Sequence, residues 1–187
     1  MKKKLFGTDG IRTLASDEIF RKSSLNILSK VIIKNKKNFK IIIGRDTRES
    51  GKKIQEIFTN SLKNSGAKVY VAGLLPTPSI CYLTKKFKYD LGIVISASHN
   101  PYQYNGIKFF NKNGEKLSTK SEIDIENNFF SFKNFYKKNN NGKIIIKKNS
   151  LSLYKNKNFS EFKKVNFFNK FKVVIDCANG STSKIIK

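Results

Sequence analysis

The sequence predicts a layered α/β domain, and three observations carry that prediction. Short β-branched runs alternate with segments whose apolar residues recur at helical spacing. Residues 39–72 read as strand, helix and strand in immediate succession, a βαβ unit. Leu91–Ile95 is apolar throughout, as suits a strand covered on both faces. With 187 residues, 39% of them hydrophobic and 12% aromatic, the chain has enough apolar side chains for the core of one ordinary domain.

Along the chain, residues 17–33 place Ile19, Phe20, Ile27, Leu28 and Val31 on one helical stripe, with Ser16 as the expected N-cap. Phe39–Ile43 is a β-branched strand ending at Gly44. Ile54, Ile57, Phe58 and Leu62 have helical spacing, and Gly66 stands where a helix needs a left-handed residue to stop. Lys68–Ala72 reads as the next strand and Pro78–Phe87 as a helix with proline tolerated in its first turn. After Leu91–Ile95 comes a polar loop, then a strand over Gly106–Phe110 and a turn at Asn113-Gly114. Residues 121–132 and 151–164 read as helices, with Gly142–Lys147 a strand between them and Asn139–Gly142 a loop. Phe171–Ile175 is strand-like again, and 176–180 is the turn leaving it. This final strand opens a new α/β unit, so the expected division is a domain over 1–168 and the start of a second, truncated one over 169–187.

Charge is the unusual quantity. Thirty-eight basic against thirteen acidic residues give +25 at pH 7, which by itself invites a polyanion partner. Surfaces built for phosphate mix arginine with lysine, because the guanidinium fork grips oxyanions bidentately. Here 34 of the basic residues are lysine and only four are arginine. Lysine, asparagine, isoleucine and phenylalanine together make up 93 of the 187 residues, while alanine, with G/C-rich codons, occurs five times. A coding bias toward A and T produces that skew on any protein. With no motif of a nucleic-acid-binding module present, no specific nucleic-acid partner is expected.

Other classes fall away on similar grounds. The longest apolar runs, such as Val31-Ile32-Ile33, are too short to cross a bilayer, so no membrane partner is expected. The N-terminus begins like a signal peptide, but Thr8, Asp9 and Arg12 interrupt the apolar region that should follow. Cys81 and Cys177 lack metal-ligand or redox spacing, which suits a reducing cytoplasm.

Three polar, glycine-containing segments carry the chemistry: Phe6–Arg12 (FGTDGIR), Gly44–Gly51 (GRDTRESG) and Ser96–Lys108 (SASHNPYQYNGIK). The last two follow strands, and open α/β sheets bind ligands beyond their strands' carboxyl ends. GRDTRESGKK is not a P-loop: six residues separate its glycines, and Lys53 stands where the motif needs a hydroxyl. A salt-bridged turn is the expected role, with Asp46 pairing to Arg45 or Arg48. Ser98-His99 lacks the G-x-S-x-G elbow of a hydrolase, and adjacent side chains rarely aim at each other. Ser98 has two remaining uses. It caps the next element, or it carries a phosphoryl group, whose charge the donors Arg12, His99, Asn100 and Lys108 would suit.

FGTDGIR at 6–12, GRDTRESG at 44–51, PTPSICYLT at 76–84, GIVISASHNP at 92–101, NGIKFF at 105–110 and VVIDCANG at 173–180 occur in that order. Together they resemble the N-terminal part of the α-D-phosphohexomutase family, most closely its bacterial members that act on glucosamine phosphate. The resemblance implies a three-layer α/β/α domain I, followed by the first strand of domain II. It makes Ser98 the phosphorylated catalytic residue, which passes its phosphoryl group to glucosamine 6-phosphate. A bisphosphate intermediate then reorients, and the product is glucosamine 1-phosphate. It makes Lys108 a general acid/base near the phosphoserine, Arg12 a catalytic neighbour, and His99 and Asn100 residues that orient the loop. A lysine serves in that role when burial or nearby cations favour its neutral form. Thr8 and Asp9 shape the turn that carries Arg12. The implied cofactor is Mg²⁺, held in part by the Ser98 phosphate, and the implied partner is a small phosphosugar.

Two positions depart from the family pattern. Thr13 stands where glycine usually follows the arginine, and Tyr104 where these members commonly have aspartate. The second leaves phosphomannomutase and phosphoglucomutase activity as the alternative. The family's D-G-D-G-D metal loop is absent from the sequence, and so are its sugar-selecting and phosphate-gripping loops. The expectation is therefore a chain inactive by itself, with a complementing C-terminal fragment as partner or, failing that, a non-catalytic remnant.

Overall fold

The computed structural model describes residues 4–133, 142–162 and 171–186. Six strands form one sheet: β1 (Ile11–Leu14), β2 (Lys40–Arg45), β3 (Lys68–Leu74), β4 (Leu91–Ile95), β5 (Tyr104–Phe110) and β6 (Lys143–Ile146), in the order β1-β5-β4-β2-β3-β6. The four strands β4, β2, β3 and β6 run parallel, while β5 is antiparallel to both β4 and β1. The βαβ unit over 39–72 forms as expected, with β2 and β3 parallel.

The alternation of the strands decides the layers. Ile41, Ile42 and Ile43 are all fully buried, but successive side chains point to opposite faces. Ile41 and Ile43 join Ile93, Ile95 and Ile107 under Leu25, Leu28 and Ile32 of α1 (Lys22–Ile33) and Ile54, Phe58 and Leu62 of α2 (Glu49–Asn64). Phe129 of α4 (Thr119–Phe130) packs against the same cluster. Ile42, Val94 and Phe110 face the other way, against Ile80 and Leu83 of α3 (Thr77–Lys86), with Leu151 and Leu153 of α5 (Ser150–Phe162) alongside. The result is three layers, helices on both faces of a mixed sheet.

Several expected boundaries move, each for a local reason. The helix expected over 17–33 breaks in two. Asp17, not Ser16, caps a 3₁₀ turn over Glu18–Phe20 by accepting from the Ile19 N–H at 3.0 Å, and the extended Arg21 separates that turn from α1. α4 starts two residues early because the Ser118 hydroxyl accepts from the Ser121 N–H. β1 had no expectation: four residues with one inward apolar side chain give no readable period.

The strand expected over 171–175 does not form. Val173, Val174 and Ile175 are exposed, and this stretch joins no ladder of the described sheet. A lone strand cannot satisfy its backbone groups without a partner. A short helix, α6 (Ser183–Ile186), follows. Residues 139–141 of the expected loop and 163–164 of the expected helix lie outside the described residues.

Candidate active site

The turns after β2 and β4 meet directly. The Asp46 N–H donates to the Ile95 carbonyl at 3.0 Å, and Asn105 Nδ2 donates to Ser50 Oγ at 2.8 Å. Asn105 is fully buried, and its other amide atom accepts from the Gly106 N–H. Gly106 is glycine for want of room: a Cβ there would sit 2.7 Å from the carbonyl oxygens of both Ile11 and Ser96.

Ser98 lies on the loop leaving β4, exposed at its tip with His99 exposed beside it. The loop is anchored beneath them by fully buried Ala97 and by Ser96, whose Oγ accepts from the Ser98 N–H at 3.0 Å. Ser98 itself has φ of 57°, in the left-handed region that a residue with a Cβ enters at a cost of about 1–3 kcal/mol. Such strain persists only where the surroundings fix it, and Arg48 bonds to the backbone around it. Its guanidinium donates to the carbonyls of Ser98 (2.8 Å), Asn100 (2.6 Å), Pro101 (2.7 Å) and Tyr104 (3.0 Å). Its Nε donates to Asp46 Oδ2 at 3.2 Å. The salt-bridged turn expected at Asp46 therefore forms with Arg48, while Arg45 donates to the Asp46 carbonyl.

Arg12 joins the loop from β1. Its Nη1 donates to Asn100 Oδ1 at 3.1 Å and its Nη2 to Asp9 Oδ2 at 3.0 Å. The turn before it closes through the Gly7 N–H and the Gly10 carbonyl, with Gly10 at φ of 91°. Lys116 Nζ donates to the Thr8 carbonyl and pairs with buried Glu122 at 3.4 Å, which ties this turn to α4. Thr13, where the resemblance expects glycine, has ordinary extended backbone, and its hydroxyl donates to Asp17.

Lys108 sits on β5 opposite Val94, while Arg12 lies opposite Gly106. Positions two apart on a strand share a face, so Arg12 and Lys108 project from the same side of the sheet. Lys108 also lines a small pocket with Asp9, Thr77 and Lys116. Its charge reaches Cys81: burial pushes that thiol up, and the thiol's own backbone and the Lys108 ammonium pull it partly back. Removing that cation by Lys108→Met should raise the thiol further, leaving less thiolate at pH 8. Alkylation of Cys81, followed by peptide mass analysis, should slow; an unchanged rate would mean that the Lys108 charge does not act on the thiol.

Of the expected site residues, Arg12 and Asn100 are in direct contact, Ser98 and His99 share their loop, and Lys108 stands on the neighbouring strand. The sequence reading assigned Arg48 at most an ion pair and gave no role to Asn105 or Lys116. Their contacts join segments far apart in the chain, and no local pattern announces them.

The residues present do not by themselves make a magnesium site. Asp9 is engaged by Arg12 and Asp46 by Arg48. Among the described residues no group of three or more histidine, cysteine, aspartate or glutamate side chains converges to hold a metal. Nor is any described helix long and apolar enough to cross a membrane.

A three-layer α/β/α domain with a strapped serine loop at its strand ends defines a class, and the match to known families agrees. Residues 3–135 match the family model described as phosphoglucomutase/phosphomannomutase, alpha/beta/alpha domain I, and the chain belongs to that family. Among curated proteins it is similar to the phosphoglucosamine mutase of Caldicellulosiruptor saccharolyticus, 40% identical over 97% of this chain and 42% of that protein. The phosphoglucosamine mutase of Buchnera aphidicola is 41% identical over 97% of the chain and 41% of its own length. The chain thus spans about two fifths of the length of these relatives. Among solved structures, a putative phosphomannomutase from Thermus thermophilus superposes with a TM-score of 0.69 at 22% identity, covering 86% of this chain and 37% of the other. The phosphoglucomutase parafusin from Paramecium, in its open form, gives 0.72 at 19%, covering 99% and 40%. These likenesses establish the fold.

Proposed function

We propose that the chain is the serine-bearing part of a phosphoglucosamine mutase, with Ser98 as phosphoryl carrier between glucosamine 6-phosphate and glucosamine 1-phosphate. The observation that carries this reading is the loop itself: an exposed serine in a left-handed conformation at a strand end, braced from behind and tied through Asn100 to Arg12. The serine at that strand end is both strained and exposed, and such strain gathers at functional sites. Curated relatives near 40% identity named phosphoglucosamine mutase favour that sugar over glucose or mannose phosphates.

In the proposed reaction a sugar hydroxyl attacks the phosphorus on Ser98, the bond from phosphorus to Ser98 Oγ breaks, and the sugar keeps the phosphoryl group. The proton of the attacking hydroxyl passes to Lys108 and on to Ser98 Oγ. Arg12 and Asn100 hold the loop toward the transferred group, with His99 beside it. The second transfer reverses these roles with the other sugar phosphate. Splitting the rearrangement into two transfers to and from a serine replaces one difficult step by two easier ones. Magnesium would neutralise charge on the phosphoryl group, its carboxylate ligands coming from beyond the residues described. We assign 169–187 to the opening of a second domain on the VVIDCANG motif at 173–180, and expect turnover to need the part of the relatives' length that these residues do not cover.

Intact-mass analysis of the purified chain tests the carrier assignment. One phosphate is expected on Ser98, gained on incubation with glucose 1,6-bisphosphate if absent at first, and lost in Ser98→Ala. A phosphate found solely on another residue, or none after incubation, sinks it. Mixing with a separately prepared C-terminal part should restore conversion of glucosamine 6-phosphate.

A further inference from the structure

We infer that Arg48 is the positioning residue that holds the Ser98 loop in its presenting conformation. A guanidinium has five N–H donors and no acceptor. In Arg48 all five are used: one toward Asp46, and four toward the carbonyls of residues 98, 100, 101 and 104. Its side chain is only 10% exposed, and Asp46, at 15%, balances its charge. With no donor left for a phosphate, Arg48 acts on the loop and through it.

The geometry of the support is specific. Four carbonyls that converge on one planar group must turn inward together, and the one from Ser98 belongs to the residue with the positive φ. Arg48 is itself fixed at both ends. Its backbone N–H donates to Asp46 Oδ1 at 3.0 Å, and it stands at the N-terminal boundary of α2. The cation is thus mounted on a helix end, not on the loop it serves. Lysine, with three donors and no fork, cannot reproduce the set.

This inference rests on Ser98 being the carrier only for its catalytic consequence; the loop itself can be read directly. Hydrogen exchange on the whole chain, wild type against Arg48→Lys and Arg48→Met, should show the amides of Ser98, Asn100 and Tyr104 exchanging at least ten-fold faster in both variants. Those of β2 and β4 should stay protected. Unchanged loop exchange, or exchange raised equally across the sheet, overturns the proposal, the second because it marks mere loss of stability. Phosphate transfer from glucose 1,6-bisphosphate to Ser98 should then slow at least ten-fold at saturating donor, with the half-saturating concentration within three-fold. Wild-type transfer rates in both variants overturn the catalytic consequence. Absence of transfer in the wild type overturns the carrier reading, and the exchange result still decides what Arg48 does to the loop.

Discussion

Replacing Gly106 by alanine should lower the thermal midpoint by about 6–12 °C, while the same change at Gly51 should leave it level or raise it. At 106 the added methyl meets two backbone oxygens at 2.7 Å, one from Ile11 on β1 and one from Ser96 at the root of the serine loop. Backbone cannot rotate away as a side chain can, so β1, β5 and the loop must separate. Overpacking of that kind costs about 3 kcal/mol, and a domain of this size loses 2–4 °C per kcal/mol. At Gly51, inside α2, the nearest atoms are 3.7–3.9 Å away and the added Cβ improves helix propensity by up to about 1 kcal/mol. Thermal unfolding followed by circular dichroism measures both. Equal effects at the two positions would mean that close approach at Gly106 is not what holds it to glycine. Gly106→Ala should also weaken the contact between Arg12 and Asn100, since Gly106 is the register partner of Arg12.

Phe58→Ala should remove about 3–5 kcal/mol of stability, and Phe159→Ala less than about 0.5 kcal/mol. Phe58 is fully buried between α2 and the sheet and touches the main cluster, whereas Phe159 on α5 is 62% exposed. Urea titration should move the midpoint for the first and not for the second. A comparable shift at Phe159 would mean that α5 is covered by something the packing described above does not include.

What was legible followed from local pattern. Ile41–Ile43 and Leu91–Ile95 announce buried strands because each residue has a covered face waiting, and the stripe from Ile54 to Leu62 announces α2 by its period. Ser98 was legible through its motif, but its positive φ was not, since that angle is imposed from outside the loop. Arg48 shows why. Its four carbonyl partners lie about fifty residues further on, and sequence spacing does not report a contact made across two strands. β1 escaped notice for the same reason, being a strand only because β5 pairs with it. Phe171–Ile175 is the converse: a good strand sequence that joins no ladder of the described sheet, because propensity alone does not place a strand beside it.

One edge of the described sheet combines exposed apolar side chains with like charge. β6 is the outermost strand on its side of the described sheet, and Ile144, Ile145 and Ile146 are 39%, 37% and 62% exposed along it. A strand edge of that kind invites pairing with a second copy. Lys143 at its start and Lys147 and Lys148 after it act as gatekeepers, backed by the +25 carried by each chain. That repulsion reaches only about 8 Å at physiological ionic strength and less in concentrated salt. The lysine excess, unhelpful as a guide to ligand, therefore opposes that pairing most strongly in dilute salt.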